Sequence, residues 1–251
     1  MSWCDKLAAT PGIGIKLDKS FAPVSALLEP LTPVISRWVD AKTDKPAFSI
    51  DSAPDLFACS LTTLDGYQYI LNPESLAVEF KYRMRVKPQS AGPPIAEMLS
   101  KPLPYTELLP EITDRLLELA QLTTLSKPRK LLRIGVIATT LVGMDEAPPG
   151  ILRFLKHVSR PWVTSPEFFN IDVTARLAKR KGTVDFDRCI HSLQKQEGSD
   201  NDLLTIRLDW QRYFGAERTL SMTSLPELLA AAKEDALAYF EDVAQGERFD
   251  D

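Results

Sequence analysis

Histidine and cysteine are the side chains that most often build a catalytic site, and this chain has two histidines and three cysteines. Cys189 and His191 stand two residues apart on a predicted strand, so both side chains point to the same face. Nucleophilic catalysis needs a nucleophile, a base and an orienting group, and neither a nucleophile elbow nor a glycine-flanked cysteine surrounds this pair. We therefore predict no catalytic residues, with a hydrolase that uses Cys189 or His191 as the alternative.

Four residues of metal-ligating types alternate along the same predicted strand: Asp185, Asp187, Cys189 and His191. Alternate residues of a strand lie about 6.6–7 Å apart, so at most two of them could share one ion. No Cys-x-x-Cys, His-x-His or His-Glu-x-x-His motif occurs, and Gly12-Ile13-Gly14 lacks the third glycine of a dinucleotide loop. We predict no metal and no cofactor, and we interpret this face as a polar outer surface.

Basic side chains form the third candidate group, because strand alternation places several arginines on one predicted outer sheet face. Arginine suits anionic or protein partners, since its planar guanidinium makes paired hydrogen bonds to carboxylates and phosphates. The candidate binding residues are Arg83, Arg85, Arg133, Arg176, Lys179, Arg180, Lys181 and Arg207. In the alternative interpretation, the arginines pair with carboxylates of the same molecule: Glu79, Asp172, Asp185, Asp187 and Asp209.

Hydrophobic periodicity predicts the strands that would position these residues. Apolar and polar residues alternate strictly over 76–86, which indicates one strand with a packed face and a wet face. The strand predicted at 13–17 is expected at a sheet edge. Further strands are predicted at 56–63, 67–71, 130–141, 169–179, 183–193 and 203–214.

Apolar residues at helical spacing predict helices at 107–122, 151–158 and 224–244. In the last of these, Ser224 and Glu227 have the spacing of a capping box, and Gly246 is expected to end the helix. Five prolines make 88–106 a predicted loop.

Together these elements predict an α+β fold with a long C-terminal helix. We expect two mostly antiparallel sheet-plus-helix units, either a pseudo-duplication or merged into one curved sheet, because one-sided sheets are typically antiparallel. The predicted units are 46–125 and 126–251, with 1–45 packing on the body, and the units could form one continuous domain.

Composition excludes several classes of protein. The chain has 251 residues, 44% hydrophobic and 25% charged, which excludes wholesale disorder, a fibre or a coiled coil. Its net charge of -4 argues against a dedicated nucleic-acid binder. An odd cysteine count without paired spacing predicts a reducing cytoplasm. The first nine residues lack a long apolar stretch, so we expect no signal peptide and no membrane partner.

The order of several short motifs resembles a known family. They are a strand, Asp65-Gly66 and a strand over 57–71, then Tyr82, the helix near Ile112, Arg133-Ile134-Gly135-Val136, and Leu208-Asp209-Trp210 before a helix that ends with Phe240. Over 50–245 this order resembles a sporadically distributed bacterial family of uncharacterised proteins of about this length. The resemblance implies a shared fold and no established activity. The family pattern has Arg-Tyr and an Asn after Arg-Ile-Gly, where this chain has Ile137-Ala138-Thr139-Thr140.

We therefore predict a non-enzymatic interaction or accessory protein of the bacterial cytoplasm. Its predicted partner is another protein, with self-association as an alternative. Two other functions stay open. One is binding of a small apolar ligand between the curved sheet and the C-terminal helix. The other is nucleic-acid contact through the basic hairpin at 176–181.

Overall fold

The computed structural model describes the following residues: 2–18, 47–51, 58–63, 66–82, 84–87, 95–98, 103–124, 129–159, 168–179, 184–195 and 203–246. The strands in this part of the chain are β1 (Thr10–Leu17), β2 (Ala47–Asp51), β3 (Ala58–Thr62), β4 (Tyr67–Asn72), β5 (Ser75–Phe80), β6 (Met84–Lys87), β7 (Ile95–Met98), β8 (Lys130–Gly143), β9 (Phe169–Lys179), β10 (Phe186–Lys195) and β11 (Leu203–Thr219). The helices are α1 (Trp3–Lys6), α2 (Tyr105–Thr124), α3 (Pro149–Ser159) and α4 (Leu225–Gln245), with a 3-10 turn at Met144–Glu146.

Nine of these strands form one antiparallel sheet in the order β2-β3-β4-β5-β1-β8-β11-β10-β9. Strands β6 and β7 pair separately. Helix α2 packs on β1 and β5, and α4 packs on β8 and β11. The α+β prediction is confirmed, and both predicted units contribute strands to this sheet. None of the described helices is long and apolar enough to cross a membrane.

The two long helices cover one side of the sheet, called here the inner face. Both bury an apolar stripe, because their leucines recur at helical spacing. In α2 the fully buried stripe consists of Leu108, Leu109, Ile112, Leu116 and Leu119. In α4 it includes Leu225, Leu229, Ala232, Ala236 and Phe240. The opposite side of the sheet, called the outer face, carries the alternate residues of each strand.

Strand β1 lies in the middle of the sheet, so its predicted edge position is wrong. Ile13 is opposite Val78 of β5 on one side and Val136 of β8 on the other. Its apolar side chain is 1% exposed. A short strand that is apolar on one face and carries glycines on the other fits either position by sequence. Long-range pairing decides between them.

The single strand predicted over 76–86 is two strands. Strand β5 ends at Phe80, which is opposite Tyr67, the first residue of β4. The chain beyond Phe80 therefore has no β4 residue to pair with, and Met84 begins β6 beside β7. Strand β7 also interrupts the stretch predicted as a loop over 88–106. Regular alternation indicates the backbone conformation but not the neighbouring strand.

A buried ionic contact joins the sheet to the C-terminal helix. Arg212, which is 3% exposed, points to the inner face. Its Nε and Nη2 donate to the two carboxylate oxygens of Asp187 on β10, both at 2.9 Å. Nη2 also donates to Asp235 of α4 at 2.5 Å. Burial alone would lower the pKa of Arg212, but these two carboxylates raise it, so the guanidinium stays charged.

The inner face also contains Cys189 and His191, so the predicted polar outer surface over 185–191 is wrong. Cys189 is fully buried and His191 is 5% exposed. The Nε2 atom of His191 lies 3.1 Å from the hydroxyl of Tyr239 on α4. Register with β11 sets this orientation, because Cys189 is opposite Trp210 and His191 is opposite Leu208, both core residues.

The ends of α4 agree only in part with those predicted from the sequence. Gly246 ends the helix in the left-handed conformation with φ of 93°, as predicted. Ser224 precedes the helix, but its backbone is helical, with φ -96° and ψ -21°, and its side chain makes no capping hydrogen bond. An N-cap needs an extended backbone. A hydrogen-bonded turn precedes the helix instead, in which the N–H of Leu225 donates to Ser221 O at 2.9 Å.

Replacing Arg212 by methionine is expected to lower the free energy of unfolding by roughly 3 kcal/mol, because the variant leaves Asp187, whose side chain is 13% exposed, with an unpaired charge. Urea unfolding at pH 7 measures this loss. Arg212→Lys keeps the charge but loses the paired hydrogen bonds, so it should fall between the wild type and Arg212→Met. Equal stability of all three proteins would contradict a structural role for the contact.

A pH dependence follows from His191. Burial lowers its pKa to about 4, whereas an unfolded histidine titrates near 6.5. Acid therefore protonates the unfolded state first. The contribution of the neutral side chain to stability is complete above pH 6.5 and is lost as the pH falls toward 4, by roughly 2–3 kcal/mol.

Urea unfolding at pH 7 and pH 4.5 should show this loss in the wild type and a smaller loss in His191→Gln. His157→Gln, at an exposed position of α3, is the matched control and should keep the wild-type difference between the two pH values. An unchanged difference in His191→Gln would refute the assignment.

Candidate functional site on the outer sheet face

The outer face is most polar along β11. Its inward residues Leu204, Ile206, Leu208 and Trp210 are buried in the core. The residues between them face outward: Thr205, Arg207, Asp209, Gln211 and Tyr213. Neighbouring strands bring further side chains to this row, because directly opposed residues of antiparallel strands point to the same face.

Two arginines meet over this row. Arg133 of β8 is opposite Tyr213, and Arg188 of β10 is opposite Gln211. Their guanidinium groups share the same two acceptors. Arg133 Nη1 donates to Gln211 Oε1 at 3.1 Å and to the Tyr213 hydroxyl at 3.2 Å. Arg188 Nη2 donates to the same atoms at 3.1 and 2.5 Å. We call Arg133, Arg188, Gln211 and Tyr213 the arginine cluster.

The cluster holds its two positive charges with uncharged acceptors. The Tyr213 hydroxyl itself donates to Gln211 Oε1 at 2.8 Å, so one amide oxygen receives three hydrogen bonds. The Nε atom of Arg188 is buried and has no hydrogen-bond partner among the described residues. Buried N–H groups without partners are rare, and this one leaves the charge of Arg188 less compensated within the cluster.

Aromatic rings support the cluster from one side. The rings of Phe186 and Tyr213 stack with centroids 4.8 Å apart and planes within 2°. The guanidinium carbon of Arg188 lies 4.9 Å from the Tyr213 ring centroid, and that of Arg176 lies 4.4 Å from the Phe186 centroid. A cation over a ring face is held by the ring's electron density. This arrangement orients the arginines without neutralising them.

Asp209 is the acidic member of the row. Burial raises the pKa of its carboxyl above the ordinary value. The hydrogen bond from Gln211 Nε2 at 2.9 Å and the charges of the nearby arginines lower the pKa, but by less than burial raises it. Gly135 is opposite Gln211, and a Cβ built there would lie 3.7 Å from Asp209 Oδ1. The glycine therefore leaves room on the outer face beside the cluster.

A groove of about 490 Å³ lies beyond Asp209 on the same face, where β1 begins. Thr10 is opposite Thr139 of β8, which is in turn opposite Arg207 of β11. The described residues that line the groove include Leu7, Thr10, Gly12, Tyr82, Ile137, Thr139, Leu141 and Arg207. Leu141 is 52% exposed. Arg207 makes no hydrogen bond or ion pair with another described residue.

The structure brings together only some of the predicted binding residues. Arg207 lies in the outward row of β11, and Arg133 lies beside that row on β8. Arg176 lies on β9, opposite Arg188. Arg85 is in β6, outside the nine-stranded sheet that contains Arg133. Lys179 is the last residue of β9. Three predicted residues lie outside the described part of the chain: Arg83, Arg180 and Lys181.

Arg133 does not pair with any of the carboxylates that the alternative interpretation names. It donates to Gln211 and Tyr213 instead. Asp187 pairs with Arg212, and Asp185 pairs with Arg218 at 3.0 Å. The prediction missed Arg188, Gln211 and Tyr213. Arg188 could have been found by assigning the opposite face of β10 as the outer one, since Arg188, Ile190 and Ser192 alternate there.

The buried pair on β10 does not resemble an activated nucleophile. Burial raises the pKa of the Cys189 thiol, and the Asp209 charge raises it further, so the thiol is protonated at neutral pH. His191 contacts Tyr239 rather than the thiol. Among the described residues, no group of three or more histidine, cysteine or acidic side chains is placed to hold a metal ion.

Comparison with known proteins identified no matching family model, curated protein or solved structure. The family resemblance of the sequence motifs therefore stays a prediction.

Asp209 offers a test of this electrostatic description. Because burial raises its pKa, the charged carboxylate is disfavoured in the folded state at neutral pH. Asp209→Asn keeps the shape and removes the charge, so the variant should be more stable than the wild type at pH 7. The difference should shrink as the pH falls through the carboxyl's folded-state pKa. Urea unfolding of both proteins over pH 4–7 measures it, and a less stable variant at pH 7 would contradict the assignment.

Proposed function

We propose that the protein is a non-enzymatic interaction protein that binds an acidic segment of another protein on the outer face of its sheet. The observation that supports this most directly is the arginine cluster. Two guanidinium groups are held by the neutral oxygens of Gln211 and Tyr213, and no described carboxylate bonds to either of them. A carboxylate from a partner would supply the missing negative charge beside the two guanidinium groups.

The charge balance of the row supports an anionic partner. Arg133, Arg188 and Arg207 face outward, and Asp209 is the acidic side chain among them on β11. Its carboxylate already accepts from Gln211. The row therefore carries a net positive charge although the whole chain is at -4. Local charge complementarity of this kind steers association and sets specificity.

The neighbouring groove favours a protein segment over a free anion as the ligand. Arg207 in the groove is four residues from Gln211 in the cluster, which is about 13 Å along an extended strand. An extended peptide could therefore place an apolar side chain between Ile137 and Leu141 and a carboxylate on the cluster about four residues away. The groove volume is within the range of small binding sites.

Two observations weaken the alternative functions. For a ligand between the sheet and the C-terminal helix, the space is filled by buried side chains, including Ile206, Leu208, Leu229 and Phe240. The described groove is on the other face. For nucleic-acid contact through the basic stretch 176–181, the side chain of Arg176 already lies over the Phe186 ring of the same chain. Cysteines without paired spacing support a bacterial cytoplasm as the compartment.

Fluorescence polarisation with a labelled hexaglutamate peptide tests the proposal. The wild type should bind it at low salt, and the affinity should fall as salt is added. Arg188→Gln and Arg133→Gln should each weaken binding roughly tenfold, because each removes a charged hydrogen-bond donor. Lys156→Gln on α3 removes the same charge away from the outer face and is the matched control, with unchanged affinity expected.

Two further probes separate the alternatives. A peptide with leucine four residues from the glutamates should bind more tightly than hexaglutamate, and Leu141→Ser should abolish only that gain. A thymidine hexanucleotide should bind more weakly than hexaglutamate. Binding that Arg188→Gln leaves unchanged, or tighter binding of the oligonucleotide, would refute the proposal.

A further inference from the structure

Strand β9 ends the nine-stranded sheet, and the described residues pair with it along one edge only, through β10. The interior strands β4 and β5 alternate strictly between buried and half-buried residues. In β9, by contrast, three consecutive residues are exposed: Asp172, Val173 and Thr174. A long strand with exposed residues on both faces is a template for pairing with another strand.

The sequence of β9 is complementary to itself when it is reversed about Thr174. In an antiparallel pair of two identical copies centred there, Asp172 is opposite Arg176 of the second copy, and Arg176 is opposite Asp172. Ile171 is likewise opposite Leu177, again twice. Opposite charges and apolar pairs directly across two strands both stabilise a sheet.

Neighbouring registers lack this match. Two-fold pairing requires residues of one face to meet residues of the same face, so the centre must lie on a residue, and the nearest other centres are Val173 and Ala175. With either centre, Asp172 is opposite an uncharged residue and Arg176 is opposite an uncharged residue. The register centred on Thr174 is therefore the one that pairs the charges.

The surroundings of β9 also favour a second copy. Phe169, Ile171 and Leu177 are only partly buried where they pack against the core, so the core is incomplete at this edge. On the outer face Arg176 is directly opposite Arg188 of β10, a like-charge pair. A carboxylate from a second copy would offset that repulsion.

We propose that β9 pairs antiparallel with β9 of a second copy of this chain, centred on Thr174, so that two nine-stranded sheets become continuous across the two-fold axis. The axis is perpendicular to the sheet, so the outer faces of both copies lie on the same side. A single pair of strands buries a small area, and the dimer should therefore depend on protein concentration. The proposal does not depend on what the arginine cluster binds.

Sedimentation equilibrium of the full chain at several concentrations tests the pairing, with circular dichroism to confirm folding. The wild type should dimerise. Asp172→Arg should be monomeric, because each arginine placed at position 172 would face Arg176. Arg176→Asp should be monomeric for the mirror-image reason. The double variant Asp172→Arg/Arg176→Asp should dimerise again, since it exchanges the charges and keeps them paired.

An equimolar mixture of the two single variants should form a heterodimer, because every charged pair across that interface is then opposite in sign. This mixture also controls for folding, since both monomers must be intact to associate. A monomeric wild type at all concentrations, a dimeric Asp172→Arg, or a mixture of folded single variants that stays monomeric would each overturn the proposal.

Discussion

The period-two alternation of β11 is the constraint on which both faces of the molecule depend. Its inward residues Leu208 and Trp210 belong to the core beneath the helices, and inward Arg212 holds α4 through Asp235. Its outward residues form the row around Gln211. A shift of one residue in register would exchange the two sets, burying charges and exposing the core. The same pairing energy therefore maintains the core and the candidate binding surface.

In the described part of the chain, helices cover only one face of this large sheet, so the other face must contact water without aggregating. The outer face limits aggregation through its charged side chains and through arginines held over aromatic rings. Its apolar surface is also reduced where Gly14 and Gly135 lie opposite each other. Holding cations with neutral acceptors keeps their charge available. A face that paired every arginine with a carboxylate of the same chain would be equally solvated and less able to bind an anion.

Much of the fold could be predicted from sequence, because local periodicity indicates strands and helices directly. The strand predicted over 203–214 and the amphipathic C-terminal helix are confirmed. Failures occurred where both faces of a strand look similar. On β10, Cys189 and His191 suggest a polar surface, yet pairing with β11 turns them inward. Arg188 was missed for the same reason. Pairing partners lie far away in sequence, so no local pattern could have identified this part of the site.

The central place of β1 has a consequence for how the chain acquires its structure. Strand β1 is synthesised well before β8, which is one of its two neighbours in the sheet. Until β8 is synthesised, β1 can be completed on its β5 side only, and the two halves of the sheet cannot join. Contacts between distant segments slow folding and prolong the exposure of unpaired strands. Folding should therefore be slow and should benefit from a chaperone during synthesis.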